Sequence, residues 1–341
     1  MGAWQSAYVG EATRSDIVAA TQLNGRKQDR FMLAQREAVR LCSVFDGHSP
    51  HGQDGGTEEA ERAAAHFERF LLNADVWAAV GEARRASLAT DDSTPERLHR
   101  AITTVFVSYQ RALEAAYDEA IRKPLLAEKA RLEAEIEDSV QLEMPQEGGT
   151  TATLVVCAPE KLICAWVGDS EAVVARVADA GAPLAVALTL RKHQPSDEAE
   201  HQRAIERGGS IVGGICYVKG VQGGLRVTRS LGDCALHDGG VISAAPDVHT
   251  LTRTADDAFL VIASDGLWDG VSFARAIELT CAALRGCGKH GMKAALVAAR
   301  QALIAEAVAT QSHPDDVVVV IHLLNVEHGL FRRARARRRG D

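Results

Sequence analysis

Several short apolar runs in this chain stop at an aspartate. CSVF ends in Asp46, ICAWVG in Asp169 and FLVIAS in Asp265, and SHP leads into Asp315-Asp316 directly before VVVVIHLL. Runs of this length, rich in Val, Ile and Leu, read as buried strands. One Asp after a strand is ordinary turn chemistry. Five from distant parts of the chain, all at strand rims, constrain the fold far more. If those strands are neighbours, the carboxylates gather. Gathered carboxylates repel each other and resist burial without a counter-charge. Hard divalent cations supply it and prefer carboxylate and carbonyl oxygen. The seven cysteines form no CxxC and no Cys/His cluster, which disfavours zinc.

The apolar pattern predicts strands at 41–45, 151–157, 162–167, 172–176, 259–263 and 317–324. The APEK turn between Cys157 and Leu162 makes two of them a hairpin. Helical patterns cover 58–72, after a candidate N-cap at Thr57, then 272–284 and 292–310. Segment 94–144 is helical by composition, with charges at i,i+4 spacing, and reads as a helical hairpin over a sheet face. Strands, then paired helices, then strands again suggest an α+β architecture. No internal repeat is present.

At 46% hydrophobic and 25% charged, the 341 residues have globular composition. A net charge of −8 argues against broad nucleic-acid binding. No run approaches the roughly 20 apolar residues of a membrane span. The first residues lack a secretory pattern, and an odd cysteine count suits reduced thiols, so a cytoplasmic or nuclear protein is expected. The charge is uneven: RRARARRRGD carries six arginines from Arg332 to Arg339. MGAWQS fits the myristoylation pattern, with Gly2 as acceptor and Ser6 at the required position. One acyl chain binds membranes only marginally, and a polybasic patch is the usual second signal. Together they suggest peripheral contact with an anionic membrane; a nuclear signal or a solvated tail are the other readings of the arginines.

Eight segments in order carry a resemblance: VFDGH at 44–48, GGTTATL at 148–154, VGDSEAV at 167–173, RKHQPSDEAEHQRAIERGGSI at 191–211, LRVTRSLGD at 225–233, APDV at 245–248, FLVIASDGLWD at 259–269 and DDVVVVI at 315–321. The chain resembles the metal-dependent protein serine/threonine phosphatases of the PPM, or type-2C, family. The resemblance implies a central antiparallel β-sandwich flanked by helices on both sides. It implies a domain over 21–326, with a flap at about 196–233, an N-terminal arm at 1–20 and a basic tail at 327–341.

It also implies a site with two Mg2+ or Mn2+ ions. Asp46 would bridge them, Gly47 would add its carbonyl, and Asp265 and Asp315 would complete the first metal's ligands. Asp169 and Asp269 match a third, weaker site, and His48 matches the family's general acid. The segment LNGRKQDRF departs from the family's pattern. Gln28, before Asp29, stands where a carboxylate for the second metal usually lies, and Asn24 where an arginine usually binds phosphate; Arg26 or Lys27 is then the candidate for that role. Ser49 and Glu171 replace a usual glycine and arginine. The implied reaction is hydrolysis of phosphoserine and phosphothreonine in proteins by a metal-activated water, with no phosphoenzyme and no role for the cysteines. A monomer acting on phosphoprotein substrates is expected. A pseudophosphatase that binds phosphoproteins is the alternative, and a hydrolase of small phosphate esters is a third reading.

Overall fold

The computed structural model describes residues 11–13, 17–22, 28–49, 55–70, 93–136, 139–178, 182–312 and 315–332. In chain order its elements are β1 Glu11–Thr13, β2 Ile17–Gln22, β3 Arg30–Arg36, β4 Val39–Phe45, β5 Gly47–His48, α1 Gly55–Phe70, α2 Ser93–Tyr117, a π-helical turn Asp118–Arg122, α3 Lys123–Ile136, β6 Gly149–Thr150, β7 Ala152–Cys157, β8 Lys161–Val167, β9 Glu171–Arg176 and β10 Leu184–Ala187. There follow α4 Glu198–Glu206, β11 Ser210–Val212, β12 Ile215–Tyr217, β13 Leu231–Gly232, β14 Asp247–Thr252, β15 Asp257–Ala263, α5 Asp265–Trp268, α6 Phe273–Leu284, α7 Gly288–Thr310 and β16 Val317–Leu323.

Two antiparallel sheets face each other. One runs β1-β2-β16-β15-β9-β10 and the other β14-β8-β7-β4-β3. The central strands are buried on both faces, which is why they read as continuous apolar runs rather than alternating ones. Alternate residues feed different cores. From β16, Val318 and Val320 pack between the sheets, while Val319 and Ile321 meet Leu296, Ala299 and Leu303 of α7. From β7, Val155 enters the inter-sheet core, while Leu154 and Val156 join Ala60, Ala63 and Phe67 of α1 and Ile102 and Phe106 of α2. The result is a helix–sheet–sheet–helix sandwich of the α+β class.

Several expectations change. The predicted strand 151–157 is broken at Thr151, between β6 and β7. Helix α1 begins at Gly55, so Thr57 lies inside it rather than capping it. Segment 93–136 is one continuous helical path, not a hairpin. Pro124 has no N–H to donate, and its ring would crowd the carbonyl four residues back. The wider turn before it relieves this, with the Lys123 N–H reaching Asp118 O. Residues 139–148 are not helical. Strands β1 and β2 lie in or beside the segment set aside as an arm, and β2 pairs with β16 from Gln22↔Val317 to Ile17↔His322. Leu330 and Phe331 bury themselves in the α6–α7 core, so that core reaches past residue 326. Among the described residues no helix is long and apolar enough to cross a membrane. None of the seven cysteines is in a disulfide, and only Cys287 is partly exposed.

Candidate metal centre

The strand rims converge at one end of the sandwich. Asp46 follows β4, Asp169 follows β8, Asp265 opens α5 after β15, and Asp315 and Asp316 precede β16. With Asp29, before β3, these six carboxylates line a cavity of about 240 Å³, shared with Gln28, Gly47, His48 and Ser49. One oxygen each from Asp46, Asp169 and Asp265 lies within 4.8 Å of the others.

Each group is held by its neighbours. The Thr151 N–H donates to Asp46 O at 2.8 Å, the Thr150 hydroxyl donates to the same oxygen at 3.0 Å, and the Asp46 N–H donates to Thr151 Oγ1 at 3.2 Å. The paired threonines of GGTTATL therefore fix the backbone of the central aspartate. A Cβ at Gly47 would sit 2.2 Å from Gly56 O and 2.7 Å from Gln28 O, so only glycine fits between the start of α1 and the β3 segment. The Ser264 hydroxyl donates to Asp29 Oδ2 at 2.8 Å and accepts from the Val318 N–H at 3.1 Å, tying the rims of β3, β15 and β16 together. The Gln28 N–H donates to Asp316 Oδ2 at 3.1 Å, and the Asp316 N–H donates to Asp315 Oδ1 at 2.8 Å. Asp169 accepts from Gln194 Nε2 at 2.7 Å. Its loop is anchored by His193, whose Nδ1 accepts from the Gly168 N–H at 3.2 Å.

Crowding shows in the proton affinities. Burial, and then the charges of Asp29, Asp265 and Asp169, push the Asp46 carboxyl well above its usual range. Burial also raises Asp29, reinforced by Asp265 and Asp316, and it raises Asp169 against the opposing pull of Gln194 and Lys192. Asp265 is pushed up to about 7, by burial first and Asp169 next. This donor set is all oxygen and excess negative charge, with no soft ligand. It fits hard divalent cations, whose charge would relieve the repulsion.

His48 lies beside these carboxylates, with Nε2 2.7 Å from Asp233 Oδ2. Asp233 is fully buried and also accepts from the Ser230 hydroxyl at 2.6 Å. A Cβ at Gly149 would strike this carboxylate at 2.0 Å. Burial lowers the proton affinity of His48, but the carboxylates of Asp233, first, and of Asp169 and Asp265 together more than offset it, and the net shift is upward. The sequence reading missed Asp233 as a partner, although it closes the LRVTRSLGD segment; 185 residues separate the pair.

Other expected residues are placed differently. Asp269 does not line the cavity; its largely exposed carboxylate pairs with Lys192 Nζ at 3.3 Å. Lys192 also meets Glu171 at 3.4 Å, so the negative charge that replaces the usual arginine is locally offset. Arg26, Lys27, Asn24, Gly2 and residues 333–339 lie outside the described residues.

The flap is fastened by a buried ion-pair network. Arg229 meets both oxygens of Glu200 and donates to Asp247 Oδ1 at 2.8 Å, while Glu200 Oε2 also accepts from Thr228 and Arg203. Burial alone would raise Glu200, but the Arg229 hydrogen bonds and charge pull it down to about 2. A depressed carboxylate stabilises the fold above its unfolded value, and that contribution disappears as pH falls towards the folded value. Wild-type protein should therefore lose about 3 kcal/mol between pH 4.5 and 2 through Glu200. Denaturant melts across that range should show a weaker pH dependence in Glu200→Gln. An equal slope in both proteins would refute the assignment.

The αββα sandwich with a carboxylate cluster at one end defines the class of fold, and the comparisons give its family. Residues 84–313 match the protein-family model described as Protein phosphatase 2C. The chain belongs to that family. A probable protein phosphatase 1N from Homo sapiens is 28% identical over 72% of this chain and 46% of its own length. A probable protein phosphatase 2C 12 from Oryza sativa is 40% identical over 45% of this chain and 40% of its own. The chain thus spans about half the length of the curated relatives it matches. Among solved structures, a serine-threonine phosphatase 2C from Toxoplasma gondii superposes with a TM-score of 0.71 at 20% identity, over 95% of this chain and 99% of that one. That likeness is one of fold.

Proposed function

We propose that this chain is a Mg2+- or Mn2+-dependent protein phosphatase that hydrolyses phosphoserine and phosphothreonine. The observation that carries the reading is the meeting of Asp46, Asp169 and Asp265, from three distant segments, within 4.8 Å, beside a histidine and in a chain of this family. Asp46, Asp265, Asp315 and the Gly47 carbonyl would hold the principal ions, with Asp29 and Gln28 beside them; Asp169 would serve a weaker third, which Asp269 would join only by leaving Lys192. Gln28 offers a neutral oxygen, which weakens binding on its side. When bound, a pair of hard divalent cations supplies an activated water and offsets charge on phosphoryl oxygens.

The chain's own residues do the rest. His48 donates a proton to the departing serine or threonine oxygen, a poor leaving group without it. Asp233 orients the imidazole and favours its protonated form. Arg26 is the proposed phosphate contact from the N-terminal segment, where a planar guanidinium would match phosphoryl oxygens. The direct test is phosphate release from a phosphothreonine peptide as Mn2+ or Mg2+ is titrated in. Folded protein without turnover on several phosphopeptides at millimolar metal would favour the phosphoprotein-binding alternative.

Acylation of Gly2 acting with Arg332–Arg339 is proposed to hold the protein at anionic membranes from the cytoplasmic side. Gly2→Ala should then move it to the soluble fraction, and unchanged partitioning would discard the idea.

A further inference from the structure

The cavity described above is lined by six carboxylates, by His48 and, among the described residues, by no lysine and a single arginine, Arg226. Its position is built rather than incidental. The Leu225 N–H donates to Cys216 O at 3.0 Å, and the Cys216 N–H donates to Leu225 O at 2.7 Å. The Thr228 N–H donates to His193 O at 2.9 Å. The side chains on either side, Leu225 and Val227, are buried in the flap's own small core with Ala204, Leu236 and Ile242. Arg226 is exposed at the cavity edge, and among the described residues its guanidinium makes no hydrogen bond or ion pair with the carboxylates below it. Gln146 lines the same cavity, with its buried Oε1 packed beside Gly223, three residues from Arg226.

An unpaired guanidinium at the mouth of an acidic pocket has one evident use. The negative field of the pocket disfavours any acidic ligand, and a cation at the lip reverses that locally. Exposure places Arg226 at the entrance, where the segments of a peptide next to its reacting residue would pass. We infer that Arg226 is a specificity-determining residue that receives an acidic side chain adjacent to the phosphorylated residue of the substrate. The inference rests on the phosphoprotein reading above and narrows it to acidic phosphosites.

The test uses two fluorescent peptides carrying a non-hydrolysable phosphonate in place of phosphothreonine, one flanked by Asp and Glu and one by Ala and Gln. Binding is measured by anisotropy with the full chain and Mg2+. Wild-type protein should bind the acidic peptide about 3- to 10-fold tighter, the range of a partly exposed charge-assisted contact. Arg226→Ala should bring that ratio to about one, and Arg226→Glu should invert it and favour a third peptide with Lys flanks. An unchanged ratio in Arg226→Ala overturns the inference. So does a uniform loss on all peptides with the ratio kept, which would put Arg226 on the phosphoryl group itself. If wild-type protein binds no phosphonate peptide, the phosphoprotein reading fails; if it binds them all equally, only the role of Arg226 fails.

Discussion

Asp265→Asn is expected to lower metal-dependent phosphate release from a phosphothreonine peptide by at least about 100-fold, the scale on which a single electrostatic contributor to a transition state acts. The substitution keeps the shape of the side chain and removes only its charge. In the metal-free protein that charge is a burden, because burial and the Asp169 charge already push Asp265 up to about 7. The same variant should therefore melt no lower than wild type without metal and gain less stability when metal is added. A ligand that binds only the folded state stabilises it in proportion to its affinity, so the lost shift reports the lost site. Calorimetry with and without Mn2+, beside the turnover assay, separates this outcome from simple misfolding. Loss of activity together with a large drop in metal-free melting temperature would mean that Asp265 holds the fold rather than the ion.

The second large effect concerns the proton. His48→Ala should reduce kcat on a phosphothreonine peptide by roughly 100-fold or more, within the range for general acids. On 4-nitrophenyl phosphate the loss should be small, since that leaving group departs without a proton. Asp233→Asn should show the same selectivity more weakly, because it leaves the imidazole in place but removes the carboxylate 2.7 Å away that holds and charges it. The alkaline limb of its pH–rate profile should also move to lower pH. Equal losses on both substrates in both variants would remove the histidine from the proton-transfer step.

Why these residues meet is only partly visible in the chain. Strands such as β15 and β16 are legible because burial on both faces makes them almost wholly apolar, and a carboxylate follows the first and precedes the second. Edge strands are not. Strand β14, DVHTLT, is half-exposed and polar, and it gains strand geometry from pairing with β8. The helix over 93–136 misled because composition records helix content but not path; a π turn before Pro124 carries the chain on where a turn was expected. Thr57 was a good capping residue in the wrong place: it lies in the first turn of the helix, next to Gly56, whose backbone approaches His48 too closely for a side chain.

The sequence by itself determined the chemical character of the site: oxygen ligands at strand rims, a histidine two residues from Asp46, and no thiol cluster. It did so because buried carboxylates are costly and are kept only where something offsets them. Tertiary structure alone decided the partnerships. Asp233 reaches His48 across 185 residues, Ser264 reaches Asp29 across 235, and Arg226 comes to the lip of a cavity whose floor lies elsewhere in the chain. Those contacts are set by strand register and by glycines too crowded to carry a side chain, and distances of that kind leave no local pattern in a sequence.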